Sequence, residues 1–348
     1  MALTLRSFEP RHAAAWDAFV TNHASGTFFH RAAWAEVIST AFGHASHYTL
    51  AERDGAIVGV LPLAQMKTRL FGNTLVSTPF CVYGGPLAAD PETAAALATH
   101  AEALRGRTGA SAVEFRLRDP VDDAALAGDW QSRSELYVTF RKPIVANDAA
   151  NLKAIPRKQR AMVRKGIQHG LVSVVDKATD TLHRVYAESV RNLGTPVFSR
   201  RYFRILLAVF GDCADVVTVL DRGIPVASVL NFYFRDEVLP YYGGGTLAAR
   251  RVAGNDFMYW EVMRRAAGRG FQAFDFGRSK VGTGAFAFKH NWGFEPAPLH
   301  YRYSLAPGAA IPEHNPLNPK YRLFIAAWKR LPLPLANLLG PPIVRGLG

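Results

Sequence analysis

The feature that most constrains the fold of this chain is an order of predicted elements that occurs twice. In each copy, two strands joined by a tight turn precede a Tyr-Gly-Gly sequence, a helix and a final strand. The strands of the first copy are at 47–51, 56–64 and 112–117, and those of the second are at 216–220, 226–234 and 271–276. Internal similarity of this kind indicates duplication. It predicts two similar α/β domains in tandem.

The second copy contains the most informative segment, residues 254–296. Its apolar residues have helical spacing: Phe257, Trp260, Met263 and Ala267. A cap at Asn255 and a stop at Gly270 give this helix its predicted ends. The aromatic strand that follows leads into a loop that is rich in glycine and cations. A mobile cationic loop after a buried strand is a common place to hold an anionic ligand.

Composition supports two domains and an anionic partner. The chain has 348 residues, of which 49% are hydrophobic, and a formal net charge of +13 with a pI of about 9.9. Such a charge favours nucleic acid, a phosphorylated or nucleotide-linked substrate, or a membrane surface; the alternative is a soluble protein of high pI. The two cysteines lack metal-ligand spacing, and no apolar run is long enough to span a membrane. We expect a cytoplasmic protein, with peripheral attachment to the inner membrane as an alternative.

A basic helix is predicted at 155–170. Its cations Arg157, Arg160, Arg164 and Lys165 share one face, and the apolar residues Ile155, Met162, Val163 and Ile167 share the other. No Asp or Glu occurs between residues 151 and 175. An uncompensated cationic face fits phosphate binding, although a solvated surface is the ordinary alternative.

The last segment, 315–348, is also basic. It contains five Lys or Arg residues and no acid, mixed with Leu, Ile, Trp and Pro. A basic amphipathic segment of this kind can lie in a membrane interface, or it can pack back on the first domain. The sequence leaves these two alternatives open.

Several common catalytic motifs are absent from the sequence. It has no Walker A motif, no Gly-x-Gly-x-x-Gly after a strand, no His-Glu-x-x-His and no Gly-x-Ser-x-Gly. The histidines lack carboxylates or cysteines at ligand spacing, so we expect no metal site. These absences disfavour hydride transfer, P-loop phosphoryl transfer and zinc hydrolysis, and leave direct group transfer open.

The chain resembles a known family over most of its length. The basic helix, the helix beginning at Asn255, the sequence FDFG and the pattern Phe-Lys-x-x-x-Gly-Phe resemble the FemA/FemB/FemX peptidyltransferases, which have two tandem acetyltransferase (GNAT) domains. Longer strings (PRKQRAMVRKGI, RNLGTPVF, PYYGGG, FDFGRSK, FKHNWGFEP and NPLNPKY) are similar to FemAB-related proteins associated with exosortase/PEP-CTERM systems. The resemblance implies transfer of an aminoacyl or acyl group to an envelope or exopolysaccharide precursor.

The resemblance also implies roles for matching residues. The Phe288-Lys289 pair matches the family's Phe-Lys, in which the lysine lies near the acyl donor. We expect Lys289 to stabilise an oxyanion, and Asp275 and Tyr242 to relay a proton. Structural roles are the alternatives for Asp275 and Tyr242. The expected phosphate-binding residues are Arg157, Lys158, Arg160, Arg164, Lys165, Arg278, Ser279 and Lys280, and the expected donor pocket is Asn255, Tyr259, Trp260 and Phe288.

The chain departs from the family in two places. It lacks a long helical hairpin that some members carry, and it lacks the Gln/Arg-x-x-Gly-x-Gly/Ala loop of acetyl-CoA-using relatives. The expectations that follow are a GNAT-like domain at 1–150, a second, active one at 151–305 and a basic tail at 306–348. The donor would be a co-substrate, aminoacyl-tRNA or acyl-CoA, with no tightly bound cofactor and no DNA partner. An acyl-CoA-dependent N-acyltransferase and a non-catalytic RNA- or membrane-binding module are the alternatives.

Overall fold

The computed structural model describes residues 2–121, 126, 128–312 and 319–348, and the side chains of 319–322 are outside this description. These residues form two compact units. The first unit comprises the described residues of 2–137, 298–312 and 345–348. The second comprises 138–297 and 319–344.

The described residues in the first part of the chain form seven strands and three α-helices. In chain order these are β1 Thr4–Ser7, α1 Ala13–Asn22, α2 Trp34–Phe42, β2 Ala45–Arg53, β3 Ala56–Thr68, β4 Gly72–Ser77, β5 Leu87–Ala88, α3 Pro91–Thr108, β6 Ala112–Leu117 and β7 Trp130–Arg133. Single 3-10 turns at Pro10–His12 and Phe28–His30 precede α1 and α2.

The remaining elements follow from residue 137 onward. They are β8 Tyr137–Pro143, α4 Asp148–Ala154, α5 Arg157–Gln168, β9 Val172–Asp176, α6 Thr179–Leu193, α7 Arg200–Phe210, β10 Ala214–Asp221, β11 Ile224–Phe234, β12 Glu237–Gly245, α8 Leu247–Val252, α9 Gly254–Gly268, β13 Ala273–Asp275, β14 Ser279–Lys280, α10 Gly284–Asn291, β15 Pro296–Pro298, β16 His300–Leu305, α11 Pro319–Trp328 and α12 Leu333–Val344.

Each unit contains one mixed sheet of the same design. The first has the order β1-β2-β3-β4-β6-β16-β7, with β5 beside β3, and the second has β14-β8-β13-β12-β11-β10-β9, with β15 beside β8. Successive strands from β1 to β4 and from β9 to β12 pair antiparallel. The pairs β4–β6 and β12–β13 are parallel. The predicted duplication is thus confirmed at the level of the fold.

The helix α9 provides much of the core of the second unit. Its predicted apolar residues Phe257, Trp260, Met263 and Ala267 are all buried there. The side chains recur at intervals of three or four residues, so they lie on one broad, buried side of the helix. Burial of each large side chain contributes roughly 1.5–3 kcal/mol. The hydrophobic spacing therefore fixes how this helix lies.

The units differ from the predicted ranges at both ends of the second one. Residues 141–143 of β8 pair with β13, so the second unit begins before residue 150. The strand β16 pairs with β6 and returns the chain to the first sheet. Most of the described tail, residues 319–344, belongs to the second unit, and 345–348 belongs to the first. Pairing between distant strands, rather than local sequence, sets these boundaries.

The two Tyr-Gly-Gly sequences occupy different places. Tyr242-Gly243-Gly244 lies within β12, whereas Tyr83-Gly84-Gly85 follows β4 as a loop. The predicted equivalence of these two motifs is therefore wrong, although the elements around them correspond. In the first unit the strand β4 ends at Ser77, before the motif is reached, whereas β12 continues through its motif to Gly245.

Candidate functional site

The second sheet opens between β12 and β13. These strands pair at two positions, Glu237–Ala273 and Val238–Phe274, yet β12 continues to Gly245. A β-bulge at Tyr241 shifts the register between β12 and β11, and such a bulge bends the strand that contains it. The two parallel strands therefore separate beyond Val238. A crevice at the carboxyl ends of parallel strands is a preferred ligand site in α/β proteins.

Two glycines let helices approach the end of β12, and a third lies tight against the neighbouring strand β11. A Cβ atom on Gly244 would lie 2.3 Å from the Oγ of Ser189 in α6. A Cβ atom on Gly245 would lie 2.3 Å from the Oδ1 of Asn255 in α9. Gly243 is similarly tight against Val229. No larger side chain fits at these contacts without a shift, which explains the glycine run in this strand.

The first turn of α9 faces this region without a cap. The preceding Ala253 has a left-handed backbone (φ 59°), and as the N-cap residue it provides no side-chain cap. The Oδ1 of Asn255 is buried and lacks a hydrogen-bond partner in the same set of residues. Arg250 and Arg251 end the preceding α8. Open backbone N–H groups at a helix start favour an anion.

Asp256, in the same turn, joins α9 to α10. Its Oδ1 accepts a hydrogen bond of 3.0 Å from the indole Nε1 of Trp292. Burial raises the pKa of Asp256 to about 6, and the bond from Trp292 opposes this shift. Tyr259 packs one turn later against Trp292 and Phe288, with ring centroids 6.3 and 5.7 Å away. These contacts hold the first turns of α9 firmly against α10.

Lys289 projects from α10 toward the segment after β13. Its Nζ donates hydrogen bonds of 3.0 Å to the carbonyl oxygens of Gly277 and Arg278. Burial lowers the pKa of Lys289 to about 7; the charge of Asp275 raises this pKa and that of Arg278 lowers it. The amine therefore changes charge near neutral pH while it fixes the backbone of residues 277 and 278.

Asp275 ends β13 beneath the same segment. It is 1% exposed, and its Oδ1 accepts a hydrogen bond of 2.6 Å from the N–H of Gly277. Thr139 and Arg141 of β8 approach it, the latter with 3.7 Å between Nε and Oδ2. The structure thus brings Asp275 and Lys289 together around Gly277, as the sequence-based expectation of a common site requires.

Tyr242 lies in a different environment. Its hydroxyl is 2.8 Å from that of Tyr202 in α7, and its ring packs against Tyr186, Phe198 and Phe203. It is 6% exposed. This environment fits the structural alternative for Tyr242, since the hydroxyl already has a buried partner.

The donor-pocket residues are divided between surface and core. Asn255, Tyr259 and Phe288 are partly buried, whereas Trp260 is 4% exposed within the core cluster. Tyr259 and Phe288 surround Phe276, which directly follows β13. Tyr259 and Phe288 therefore provide apolar contacts next to the segment 275–277.

The Gly-rich segment is more ordered than the sequence predicts. Ser279 and Lys280 are buried and form β14, which pairs with β8. The Thr283 hydroxyl donates to the carbonyl oxygen of Lys280 at 2.7 Å. The Oγ of Ser279 is buried and has no hydrogen-bond partner in the described part of the chain. The expected mobile loop is instead a fixed segment, because Lys289, Asp275 and Thr283 all bond to its backbone.

The basic helix forms as predicted at α5. Arg157, Lys158, Arg164 and Lys165 are exposed, while Arg160 is partly buried and donates to the carbonyl oxygen of Lys153 at 3.2 Å. The buried face packs on α9, where a Cβ atom on Gly166 would lie 2.8 Å from that of Phe257. Ile167 departs from the prediction and is 48% exposed, since it follows the last buried turn of the helix.

The corresponding region of the first unit is closed by its own chain. The backbone N–H of Arg116 in β6 donates to the Oγ of Ser77, and its carbonyl oxygen accepts from the N–H of Gly84. The guanidinium of Arg116 donates to the carbonyl oxygens of Cys81 and Gly348, each at 2.8 Å. Backbone and C-terminal residues therefore occupy the place where β4 and β6 part.

Comparisons with known proteins agree with this fold. Residues 150–290 match the family model described as an acetyltransferase (GNAT) domain. No curated protein gives a significant sequence match. The crystal structure of FemX superimposes with a TM-score of 0.70 at 17% identity, covering 87% of this chain and 97% of FemX.

Two further structures share the fold at lower similarity. The L-PGS of Bacillus licheniformis has a TM-score of 0.54 at 14% identity, covering 93% of this chain and 97% of its own. A tandem GNAT protein from the clavulanic acid biosynthesis pathway has a TM-score of 0.54 at 15% identity, covering 89% and 100%. The chain has a tandem GNAT fold, and the domain matched over residues 150–290 supports an acyltransferase.

Sequence reasoning missed two contributions to the site. Asp256 suits the first turn of a helix, but the sequence does not reveal that this residue is buried against Trp292. Sequence reasoning also gave Ser189 no role, although this residue sets the close contact with Gly244. An acidic residue at a helix start is ordinarily exposed, so the sequence carries no signal for the burial of Asp256.

Proposed function

We propose that the second unit transfers an acyl or aminoacyl group from an anionic donor to an amine or hydroxyl group of a cell-envelope, peptidoglycan or exopolysaccharide precursor. The observation that carries this proposal is the uncapped start of α9 beside the separated strands β12 and β13. An anionic donor bound at these N–H groups would place its acyl group along the opening. The acceptor would carry a nucleotide or lipid group.

The reaction is a direct substitution at the acyl carbon. The nitrogen or oxygen of the acceptor forms a bond to that carbon, and the bond to the donor's sulfur or oxygen breaks. The proton of the nucleophile passes to the departing group or to solvent. Negative charge develops on the acyl oxygen, and Lys289 is the cation that we assign to stabilise it, either directly or through the N–H groups of the segment that it fixes.

The exposed cations of α5 support an acceptor or donor that carries phosphate. Arg157, Lys158, Arg164 and Lys165 are exposed, and no acidic residue occurs between 151 and 175 to neutralise them. A diphosphate or a tRNA backbone would find several charge partners on this surface. The helices α5 and α9 pack against each other. The exposed cations of α5 and the start of α9 therefore belong to one pair of packed helices.

The second candidate is an acyl-CoA-dependent N-acyltransferase. It is favoured by the same open helix start with Arg250 and Arg251 at the end of the preceding α8, because the diphosphate of coenzyme A is a suitable anion for such a place. Donor identity, rather than the type of reaction, distinguishes the two candidates.

A transfer assay with the full chain tests the proposal. Acetyl-CoA, long-chain acyl-CoA and aminoacyl-tRNA are each offered with nucleotide-linked and lipid-linked amine acceptors, and covalent products are measured by mass spectrometry. We expect a product with one class of donor, lost in Lys289→Ala and kept in Lys153→Ala, the matched exposed lysine. Full turnover by Lys289→Ala would remove Lys289 from the site. Salt-sensitive binding of every polyanion alike, without a product, would contradict a transferase.

A further inference from the structure

The C-terminal helices α11 and α12 are packed against the second unit through one side only. Ile325 of α11 lies close to Gly194: a Cβ atom added to Gly194 would be 2.5 Å from the Cγ2 atom of Ile325. Trp328 is 3% exposed. The guanidinium of Arg191 donates to the carbonyl oxygens of Lys329 and Leu331, at 3.4 and 3.5 Å. These contacts fix α11 and the turn that follows it.

The helix α12 is fixed in the same way by small residues. Ala336, Gly340 and Val344 recur at intervals of four and are buried. A Cβ atom on Gly340 would lie 2.8 Å from the backbone nitrogen of Val197, which lies in the loop between α6 and α7. The helix therefore rests closely on the second unit, and its remaining sides face away from it.

Those remaining sides are apolar and exposed. In α12, Leu335, Leu338 and Leu339 are 47%, 69% and 46% exposed, at spacings of three and four residues. In α11, Leu323 and Phe324 are 82% and 41% exposed. We call these five exposed apolar side chains of the two helices the outer face (Leu323, Phe324, Leu335, Leu338 and Leu339). A row of exposed leucines along one side of a helix, as in α12, is typical of an interaction site.

The charged residues in the sequence of α11, α12 and their connection are all basic. Lys329 and Arg330 are exposed in the connection between the two helices. The sequence from residue 315 to 348 contains no acidic residue, and the whole chain carries a net charge of +13. An anionic partner complements this surface, whereas a second copy of the same chain would bring like charges together.

We propose that the outer face binds an anionic lipid surface, with the leucines in the acyl boundary and Lys329 and Arg330 at the headgroups. Amphipathic segments with this combination lie in the plane of the membrane interface. No helix among the described residues is long and apolar enough to cross a bilayer. The proposal rests on the exposure and charge of α11 and α12 and is independent of the acyl donor and acceptor.

Vesicle co-sedimentation of the full chain tests the proposal. The wild-type chain should bind vesicles that contain phosphatidylglycerol more tightly than pure phosphatidylcholine vesicles. Leu323→Glu and Leu338→Glu should each weaken binding by roughly tenfold or more. Lys329→Ala and Arg330→Ala should each weaken it by about fivefold, with the loss reduced at high salt. Leu70→Glu is the matched control, because Leu70 is also 82% exposed but belongs to the first unit.

Three results would overturn the proposal. The first is an absence of vesicle binding by the wild-type chain, and the second is binding unchanged in both Leu323→Glu and Leu338→Glu. The third is loss of self-association in Leu338→Glu by size-exclusion chromatography, with no difference in vesicle binding, since the outer face would then join two copies of the chain. Thermal unfolding of each variant verifies that it is folded, which is expected because the substituted side chains are exposed.

Discussion

The amine of Lys289 donates a hydrogen bond of 3.0 Å to the carbonyl oxygen of Gly277, two residues beyond the end of β13. The same amine bonds to the carbonyl oxygen of Arg278, and Asp275 bonds to the N–H of Gly277. Lys289 thereby holds the backbone just after β13 in place, and its pKa of about 7 means that its charge changes near neutral pH.

Lys289→Met should change how stability depends on pH. The pKa of Lys289 is lowered from 10.5 to about 7 in the folded state, so between these values the unfolded chain holds a proton that the folded chain lacks. The contribution of Lys289 to stability therefore rises with pH across this window, by up to about 1.4 kcal/mol per pH unit. Urea unfolding of both proteins, from about pH 7 to about pH 10, measures this difference.

A matched substitution distinguishes the effect of burying the Lys289 amine from the effect of simply removing a lysine. Lys153→Met removes an exposed lysine from the same unit and should follow the wild-type pH profile. A difference between Lys289→Met and the wild-type chain that stays constant with pH would show that the buried amine keeps an ordinary pKa.

Asp275→Asn should lower the pKa of Lys289 further. The charge of Asp275 raises this pKa, and the amide keeps the shape and an acceptor oxygen for the N–H of Gly277 while removing the charge. The signals of the Lys289 side chain in NMR, followed against pH, measure the shift. An upward shift, or none, would contradict the assigned coupling between the two groups.

Asp256→Asn should stabilise the second unit at neutral pH. Burial raises the pKa of Asp256 from 3.8 to about 6, so the folded chain binds the extra proton between these values and loses stability as the pH rises through them. The amide avoids that loss, retains an acceptor for Trp292 and should add about 1–3 kcal/mol at neutral pH. Asp148→Asn, in the first turn of α4, is the control and should add none. Equal pH profiles for Asp256→Asn and the wild-type chain would refute the shift.

Gly244→Ala should destabilise the fold by roughly 1–3 kcal/mol through overpacking, because the new Cβ atom would meet the Cβ of Ser189 at 2.4 Å. Gly268→Ala, in α9 where no atom lies within 4 Å, should instead stabilise by about 0.5–1 kcal/mol. Chemical unfolding of the two variants measures both effects. A neutral Gly244→Ala would mean that α6 does not lie as close to β12 as described.

Local patterns in the sequence predicted the elements of this fold well. Strand pairs around Asp54-Gly55 and Arg222-Gly223, and the helix beginning near Asn255, follow from turn chemistry and from apolar spacing. The order of elements then indicated the duplication. Such signals are contained within a dozen residues, so they need no knowledge of the rest of the chain.

The site was less predictable, because its features depend on distant residues. The burial of Ser279 and Lys280 follows from β14 pairing with β8, which lies more than a hundred residues earlier. The hydrogen bonds of Lys289 depend on where α10 ends relative to β13. A cationic, glycine-rich sequence normally indicates an exposed loop, and the local pattern contains nothing to reveal these long-range contacts.

The most direct test of the account is donor affinity in Asn255→Asp, measured by calorimetry with the donor found in the transfer assay. A carboxylate suits a helix start and keeps the size of Asn255, so folding should be retained, but it would repel an anionic donor bound at α9. We expect at least a roughly tenfold loss of affinity. Asn147→Asp, at the start of α4, should leave affinity unchanged. Equal affinity in Asn255→Asp and Asn147→Asp would contradict a donor site at the start of α9.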